Sequence, residues 1–407
     1  MVNVAVMGHG VVGSGVAEVL LNNRDVITKN AKTEINIKHI LDLRDFEGLS
    51  YSNKFTKNFE DIVNDSEVQI VAEAMGGLEP AYTFVKRCLE AGKSVVTSNK
   101  ELVAAKGAEL LKIARDKNVN FLFEASVGGG IPILRPLSQC LAANKITEIF
   151  GILNGTTNFI LTKMICDNFS FEDALKLAQD LGYAERIPDA DVLGHDACRK
   201  ICILASIAFG RHVYPEYVST NGITEITLED VEYADKLGYV IKLIAHAKDL
   251  ENGKIAATVY PALVCKDNML AGVRDVYNAV TVCGNAVDDT FFYGKGAGKL
   301  PTASAVVADI IDCAKHLEAR KYLFWEDSSE SFVEAKENLV TRLYIKLKNT
   351  DNAAVYKIKA LFGDVQLINN TVANETVFIT AEGVEKELIK KLDELKAYTV
   401  DAVLNVI

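Results

Sequence analysis

The sequence predicts an α/β protein in three parts. An N-terminal domain holds a parallel sheet with crossover helices, a mixed α+β domain follows, and a unit of β-α-β-β-α-β order ends the chain. Three observations predict this. Strand-like and helix-like segments alternate through residues 1–145, the order turns mixed after Lys145, and a polar stretch, WEDSSESFVEAKEN, sets off residues 338–407.

In the first part VNVAVMG reads as a buried strand and VVGSGVAEVLLNN as a helix. INIKHILDL and VQIVAEAMG are strands, AYTFVKRCLEAG is a helix, and SVVTSN, a helix from Glu101 to Asp116, and NFLFEAS follow. Strands alternating with helices at this spacing imply crossover units and a parallel sheet. In the second part, residues 146–322, ITEIFGILNG and TNFILTKMI lead into helices, then into strands around IAATVYPALV, VYNAVTVCG and DTFFYGKGAG. PTASAVVADIIDCAKHL predicts a helix over 301–320 that packs back on the first domain. In the third part LVTRLYIKLK, AAVYKIKALF, VQLINNTVA, ETVFITAE, KELIKKLDEL and YTVDAVLNVI give the ferredoxin-like order. Alternation puts Leu343, Ile345 and Leu347 on one face, with Lys346 and Lys348 on the other. A half-buried sheet of this kind has exposed edges, and pairing with a second copy protects them, so at least a dimer is expected.

A chain of 407 residues is too long for one core. Its formal charge of −11 argues against nucleic acid as a partner and offers nothing to an anionic membrane surface. The chain opens directly on a strand, so no signal peptide is expected. No apolar run approaches the ~20 residues of a membrane helix. Eight cysteines without a CxxC pair read as free thiols in a cytoplasmic protein.

GHGVVG, Gly8 to Gly13, follows the first strand and opens the first helix, the context a dinucleotide fingerprint requires. Gly8 permits the tight turn, Gly10 lets the backbone approach a pyrophosphate, and Gly13 lets the helix pack on the strand. Val12 lies in the helix's first turn, where free N–H groups and the positive dipole end favour an anion. The domain is thus Rossmann-type. At the end of the second strand an acid would hold a ribose 2′-OH and an arginine a 2′-phosphate. Asp42 and Arg44 sit on the same side for these roles. Arg44 lies nearer the strand's end, which tilts the reading to NADP with NAD open; either residue is equally readable as a solvated charge.

The stretch 182–200, GYAERIPDADVLGHDACRK, carries Glu185, Asp189, Asp191 and Asp196 and then runs into the apolar ICILASIAF. Residues four apart share a helix face, so Asp196 and Lys200 sit side by side where a helix enters a core. Charges in such places are costly unless paired and are often kept for function. Plain structural readings stand beside these. Lys200 is readable as a surface lysine paired with Asp196, and Lys100 in SNKE as the start of a helix capped by Asn99. VGGG is readable as a turn, and NGTTN as a turn satisfied by Asn154 and Thr156.

Together GHGVVGSGV, TSNKELVA, FEASVGGGIPI, ILNGTTNFIL, GYAERIPDADVLGHDACRK and GKGAGKLPTASAV strongly resemble homoserine dehydrogenase, in order, to about residue 320. Such enzymes interconvert aspartate semialdehyde and homoserine with a nicotinamide cofactor, on the route to threonine and methionine. By that resemblance Lys200 is the proton donor or acceptor, and Lys100 assists at the substrate oxygen and carboxylate, near the cofactor. Glu185 and Asp196, with Asp191, Asn154, Gly155 and Thr156, hold the amino-acid substrate. Met75, Gly76, Gly182 and Gly298 lie by the cofactor. Glu124 and the carbonyls of Val127, Gly129 and Ile131 bind a monovalent cation, sodium. The terminal segment resembles a shortened ACT domain, which implies an amino-acid effector such as threonine, and a homodimer or higher oligomer. Its connection LFGDVQLINN is short, and His9 stands where the family usually has a bulky apolar residue; it reads as a loop-packing residue within reach of the cofactor. The chemistry suits the residue types. A hydride delivered to an aldehyde leaves an alkoxide that an ammonium can protonate. Two lysines stabilise the oxyanion, and their repulsion and burial lower the pKa of at least one. A non-enzymatic nucleotide-binding sensor, or another dehydrogenase on this architecture, is the competing reading. Lys100 and Lys200 speak against the sensor, which needs no proton-transfer lysine.

Overall fold

The computed structural model describes residues 1–318, 323–328, 330–368 and 372–407. Its chain forms two compact units that alternate along the sequence. Met1–Ile149, Arg199–Pro215 and Val280–Ser331 make the first, and Phe150–Cys198, Glu216–Ala279 and Phe332–Ile407 the second.

The first unit begins with β1 (Val2–Met7), α1 (Val11–Asn22), α2 (Arg24–Ala31), β2 (Ile35–Leu41), β3 (Phe55–Thr56) and α3 (Glu60–Val63). It continues with β4 (Val68–Glu73), α4 (Ala81–Glu90), β5 (Ser94–Thr97), α5 (Lys100–Asp116) and β6 (Phe121–Leu122). The sheet order is β3-β2-β1-β4-β5-β6, with every pair parallel. Val4, Ala5 and Val6 of β1 and Ile70, Val71 and Ala72 of β4 are fully buried. Such unbroken apolar strands suit a parallel sheet covered on both faces. The strand order reverses between β1 and β4, and the crevice beyond their carboxyl ends is where such sheets bind ligands. Gly8 follows β1 and Ala74–Gly77 follow β4, so both loops lie at that crevice.

The chain passes into the second unit within β7 (Ile146–Ile152). There follow α6 (Gly155–Asp167), α7 (Phe171–Asp180), α8 (Asp189–Val192) and α9 (His195–Phe209), the last running on into the first unit. Then come β8 (Ser219–Thr220), α10 (Leu228–Lys236), β9 (Tyr239–Asp249) and β10 (Ile255–Cys265). β11 (Tyr277–Gly284) leads back to the first unit, where β12 (Asp288–Lys295) and α11 (Lys299–Lys315) follow. α11 packs closely on α1: a Cβ on Gly15 would lie 2.9 Å from the Lys299 carbonyl oxygen. The helix expected over 301–320 starts at Lys299 and ends at Lys315. Its last expected residues, 319 and 320, lie outside the described residues, as does the expected domain end at 322.

The tail holds β13 (Val340–Lys348), α12 (Ala354–Phe362), β14 (Val365–Leu367), β15 (Glu375–Thr380), β16 (Gly383–Val384), α13 (Glu385–Asp393) and β17 (Thr399–Val406). Residues 369 and 370 of its short connection lie outside the described residues. The tail has its own apolar cluster, with Leu343, Ile345, Leu347, Ile358, Phe378, Leu388 and Leu392 among its members. Two features differ from the sequence reading. β17 pairs in parallel with β10, Ala262 opposite Asn405 and Leu263 opposite Val406, so one edge of the tail sheet is covered by the same chain. The strands of this unit therefore run β9-β10-β17-β13-β15-β14.

The second difference is Lys346, which alternation placed on the polar face. It is 0 % exposed, with Nζ 2.8 Å from Asp230 Oδ1 and 2.9 Å from Asp401 Oδ2. Helix α10 lies over that face, and Asp230 also accepts from Tyr344 Oη at 3.2 Å. Burial pulls the Lys346 ammonium down, but bonds from the two carboxylates outweigh it and hold its pKa above the ordinary value. Removing one partner of a buried pair leaves an uncompensated charge. Lys346→Met should therefore lower the unfolding free energy by about 3–5 kcal/mol. The partly exposed Lys348, 3.1 Å from Asp401, should cost less than about 1 kcal/mol on the same substitution. Urea denaturation of the two variants checks this; equal losses would contradict it.

Candidate active site

The first unit presents a dinucleotide-shaped corner. Gly8 has φ 93° and donates its N–H to the Leu41 carbonyl at 2.8 Å. A Cβ on Gly13 would lie 1.9 Å from the Gly8 carbonyl oxygen, so helix and loop touch there and no side chain fits. Gly10 differs. It is the N-cap of α1, no side chain caps the helix, and a Cβ built on it meets nothing within 4 Å. The first turn of α1, with Val12, thus faces open space with its N–H groups uncapped by side chains, which fits a pyrophosphate.

Across the crevice, the fully buried Glu73 folds the loop after β4. Its Oε1 accepts from the N–H groups of Met75 (2.8 Å) and Gly76 (3.2 Å), and its Oε2 accepts from Thr97 Oγ1 at 2.5 Å. Burial pushes its pKa up against those bonds. Sequence reasoning passed over Glu73; the signal was an acid closing the apolar strand VQIVAEAMG. At the end of β2, Asp42 and Arg44 meet directly, Arg44 Nε to Asp42 Oδ1 at 3.0 Å and Nη2 to Oδ2 at 2.9 Å. Arg44's bonds hold the Asp42 carboxyl well below the usual carboxylate range, against its burial. Both also grip the glycine loop: His9 N–H donates to Asp42 Oδ2 at 2.8 Å, and Arg44 Nη2 donates to the His9 carbonyl at 3.1 Å.

Lys100 is the first residue of α5. Asn99 caps that helix by accepting from Leu102 N–H at 3.1 Å, and donates through Nδ2 to the Gly77 carbonyl at 2.7 Å. Lys200, 8 % exposed, lies on α9. Their neighbours are joined: Arg199 Nη2 lies 3.5 Å from Glu101 Oε1, which sets the first turn of α5 beside this part of α9. Further along, His212 accepts at Nδ1 from Ala108 N–H (3.3 Å) and Trp325 Nε1 (2.8 Å), and its Nε2 lies 2.8 Å from the Ala104 carbonyl. These ties join residues about a hundred positions apart and leave no local pattern in the chain.

Within the second unit, Asn154 is the organising side chain. Its Oδ1 accepts from Thr157 N–H at 2.8 Å and caps α6. Its Nδ2 donates to Asp191 Oδ1 at 2.6 Å and to Asp196 Oδ2 at 2.8 Å. Asp196 is 3 % exposed. Thr156 Oγ1 donates to the Tyr183 carbonyl at 2.7 Å, and Gln179 Nε2 to the Glu185 carbonyl at 3.2 Å, which fixes the segment after Gly182. Gly155 lies close to the Val276 carbonyl, and Glu185 is exposed. Four of the residues expected to hold substrate, Asn154, Thr156, Asp191 and Asp196, thus belong to one bonded neighbourhood or its immediate flank.

Glu124 is buried, and its carboxylate accepts from the N–H groups of Ile133 (2.6 Å), Leu134 (2.8 Å) and Arg135 (2.8 Å). It thereby closes the loop that carries Val127, Gly129 and Ile131. Its own N–H donates to the buried Asp309, whose pKa is pushed up to about 7 by burial. Among the described residues no group of three or more His, Cys, Asp or Glu side chains is placed to hold a metal ion. Gly298 is the N-cap of α11.

A family model described as "Homoserine dehydrogenase, NAD binding domain" matches residues 8–124, and one described as "Homoserine dehydrogenase" matches residues 132–311. The chain belongs to the homoserine dehydrogenase family. The homoserine dehydrogenase of Lactococcus lactis is 42% identical over 320 residues, which cover 77% of this chain and 74% of that one. A homoserine dehydrogenase crystal structure from Thiobacillus denitrificans matches with TM-score 0.92 and 36% identity, over 100% of this chain and 98% of that one. A hyperthermophilic archaeal homoserine dehydrogenase in complex with NADPH matches with TM-score 0.66 and 30% identity, over 77% of this chain and 97% of that one. The protein is accordingly an NAD(P)-dependent oxidoreductase acting on the CH–OH group of homoserine. The sensor reading is not favoured. Among the described residues no helix is long and apolar enough to cross a membrane.

The two glycines separate cofactor space from packing. Gly10→Ala should leave the melting temperature nearly unchanged and weaken binding of the NAD(P) cofactor, because its methyl enters open space beside the helix end. Gly13→Ala should destabilise the first unit itself. Thermal melts and cofactor titrations check this, and an equal loss of melting temperature in both variants would contradict it.

Proposed function

We propose that Lys200 moves the proton in the interconversion of aspartate 4-semialdehyde and homoserine. The observation that carries this reading is the bonding of Asn154 to Asp191 of α8 and to Asp196 at the start of α9, the helix on which Lys200 lies one turn further. When bound, the nicotinamide supplies or accepts the hydride. Lys200 Nζ gives its proton to the aldehyde oxygen as the C=O double bond is reduced to a C–O single bond, and takes it back from the hydroxyl in the oxidation. Lys100, at the start of a helix tied beside α9, helps stabilise the developing oxyanion and orients the substrate carboxylate. Asp196 and Glu185 receive the substrate ammonium. Asp191, Asn154, Gly155 and Thr156 shape that place: the Asn154 amide spreads its two hydrogens over two carboxylates and so aims them.

The glycine loop, Met75, Gly76, Gly182 and Gly298 line the cofactor's course, with the pyrophosphate at the α1 N-terminus. Asp42 and Arg44 read the adenosine ribose, and Arg44 favours NADP over NAD by a charge-assisted bond to the 2′-phosphate. A monovalent cation, sodium, takes carbonyl oxygens of Val127, Gly129 and Ile131. Glu124, whose carboxylate is bonded to three backbone N–H groups, acts there by holding the loop. The three-part organisation at 1–145, 146–322 and 338–407 serves cofactor, substrate and regulation respectively, with threonine as effector of the ACT-like tail. Assembly into a dimer and a cytoplasmic location complete the reading.

Lys200→Ala should lower kcat by about 10²–10⁴-fold, the scale of a lost general acid–base group, while NADP binds as before. Steady-state rates with homoserine and a cofactor titration test this. Retention of more than half the rate would remove Lys200 from the reaction.

A further inference from the structure

Lys242, on β9, is 2 % exposed and has no part in the chemistry assigned above. Its Nζ donates to Asn158 Oδ1 at 3.1 Å and to the Val273 carbonyl. Both acceptors are neutral. Burial pulls its pKa down to about 8; Cys166 raises it, Arg274 lowers it and Asp275 raises it. An ammonium held by neutral acceptors is costly at such depth, where an apolar side chain of similar length would pack without that cost. The charge therefore asks for an explanation.

Its two bonds converge on one place. Asn158, on α6 and also 2 % exposed, donates through Nδ2 to the carbonyls of Asp275 (2.9 Å) and Tyr277 (3.2 Å). One turn further along α6, Thr162 Oγ1 accepts from Asp275 N–H at 3.0 Å. The backbone of 273–276, which has neither helix nor strand, is thus hung on α6 and on Lys242 by polar side chains. That backbone in turn meets the start of α6: a Cβ on Gly155 would lie 2.8 Å from the Val276 carbonyl oxygen. Gly155 follows the N-cap Asn154, whose carbonyl accepts from Asn158 N–H at 3.3 Å. Two routes therefore run from Lys242 to Asn154, one through Asn158 along the first turn of α6 and one through the Val276 carbonyl onto Gly155.

We propose that Lys242 is a positioning residue for the amino-acid substrate: its buried ammonium pins the first turn of α6 and the 273–276 backbone to β9, and so holds Asn154 and Gly155 where Asp191 and Asp196 are aimed. This rests on the reading of those residues as the place that receives the substrate. The mechanics suit the role. The first turn of a helix has N–H groups that its own bonds do not engage, so bonds from outside decide where it sits. β9 is the firmer partner, because it is paired with β10 along its length, Lys242 opposite Ala262. A side chain anchored there sets the place of the helix start, as supporting residues behind a binding site do. Lys242 acts through Asn158 and the Val276 carbonyl, not by touching substrate.

Steady-state kinetics of the full chain with homoserine test this, with the cofactor dissociation constant and the melting temperature measured on the same preparations. Lys242→Met should raise KM for homoserine by about tenfold, the scale of a displaced binding group, with a smaller fall in kcat and the cofactor bound as before. Asn158→Leu breaks the relay from its other end and should raise KM to a similar extent. The double variant should raise KM no further than the larger single effect, because the two side chains act as one unit. A folded Lys242→Met with a lowered melting temperature and an unchanged KM has lost packing only, and overturns the proposal. Should that variant not fold, an unchanged KM in Asn158→Leu overturns it equally, and so do effects that multiply in the double variant. Asn154→Ala separates the two layers. If it leaves KM for homoserine unchanged, the substrate reading fails and the proposal falls with it; if it raises KM while Lys242→Met does not, only the role of Lys242 is lost.

Discussion

One side-chain amide, that of Asn154, carries the constraint on which the start of the second unit depends. Two carboxylates, the half-buried Asp191 of α8 and the buried Asp196 at the start of α9, repel one another and lose hydration. Asn154 Nδ2 donates to both, while its Oδ1 caps α6. The N-terminal dipole of α9 adds a favourable field for Asp196. A buried charge tolerates displacement poorly, because each ångström away from its partners returns the desolvation cost. The amide thereby ties the start of α6 to α8 and to the start of α9, the helix that carries Lys200.

The same logic recurs in the first unit, where buried or half-buried acids shape the loops. Glu73 gathers the N–H groups of the loop after β4, and Glu124 gathers three from the loop after β6. Asp42 collects two backbone N–H groups, of His9 and Arg44, and a guanidinium. In each case a carboxylate substitutes for the hydrogen bonds that a loop lacks and a helix or strand would supply. The apolar strands set the frame, and these acids set the loops that present chemistry.

How much of this was legible in the sequence depends on the reach of each interaction. The alternation of the first 145 residues predicted the parallel sheet because crossover units leave a local pattern. GHGVVG was legible because turn, helix start and packing all fall within six residues. That Asp196 and Lys200 share one helix was legible because helical spacing is local. Lys346 was misread for the opposite reason: alternation shows two faces but not what lies over the second, and α10 brings Asp230 from more than a hundred residues away. The covering of β17 by β10 is likewise a pairing between distant segments that neither strand's composition announces. Glu73, the His212 ties and the bonds from Asn154 to Asp191 and Asp196 escaped because a polar side chain's distant partner is set by tertiary placement rather than by its neighbours in sequence.

The most direct measurement is the steady-state kinetics of Asn154→Ala, with KM for homoserine and the dissociation constant for NADP determined on the same preparation. If the amide aims the carboxylates proposed to receive the substrate, losing it leaves the buried Asp196 and the half-buried Asp191 each with one donor fewer. KM for homoserine should then rise by about tenfold or more, with NADP binding unchanged. An unaltered KM in a folded variant would contradict the account.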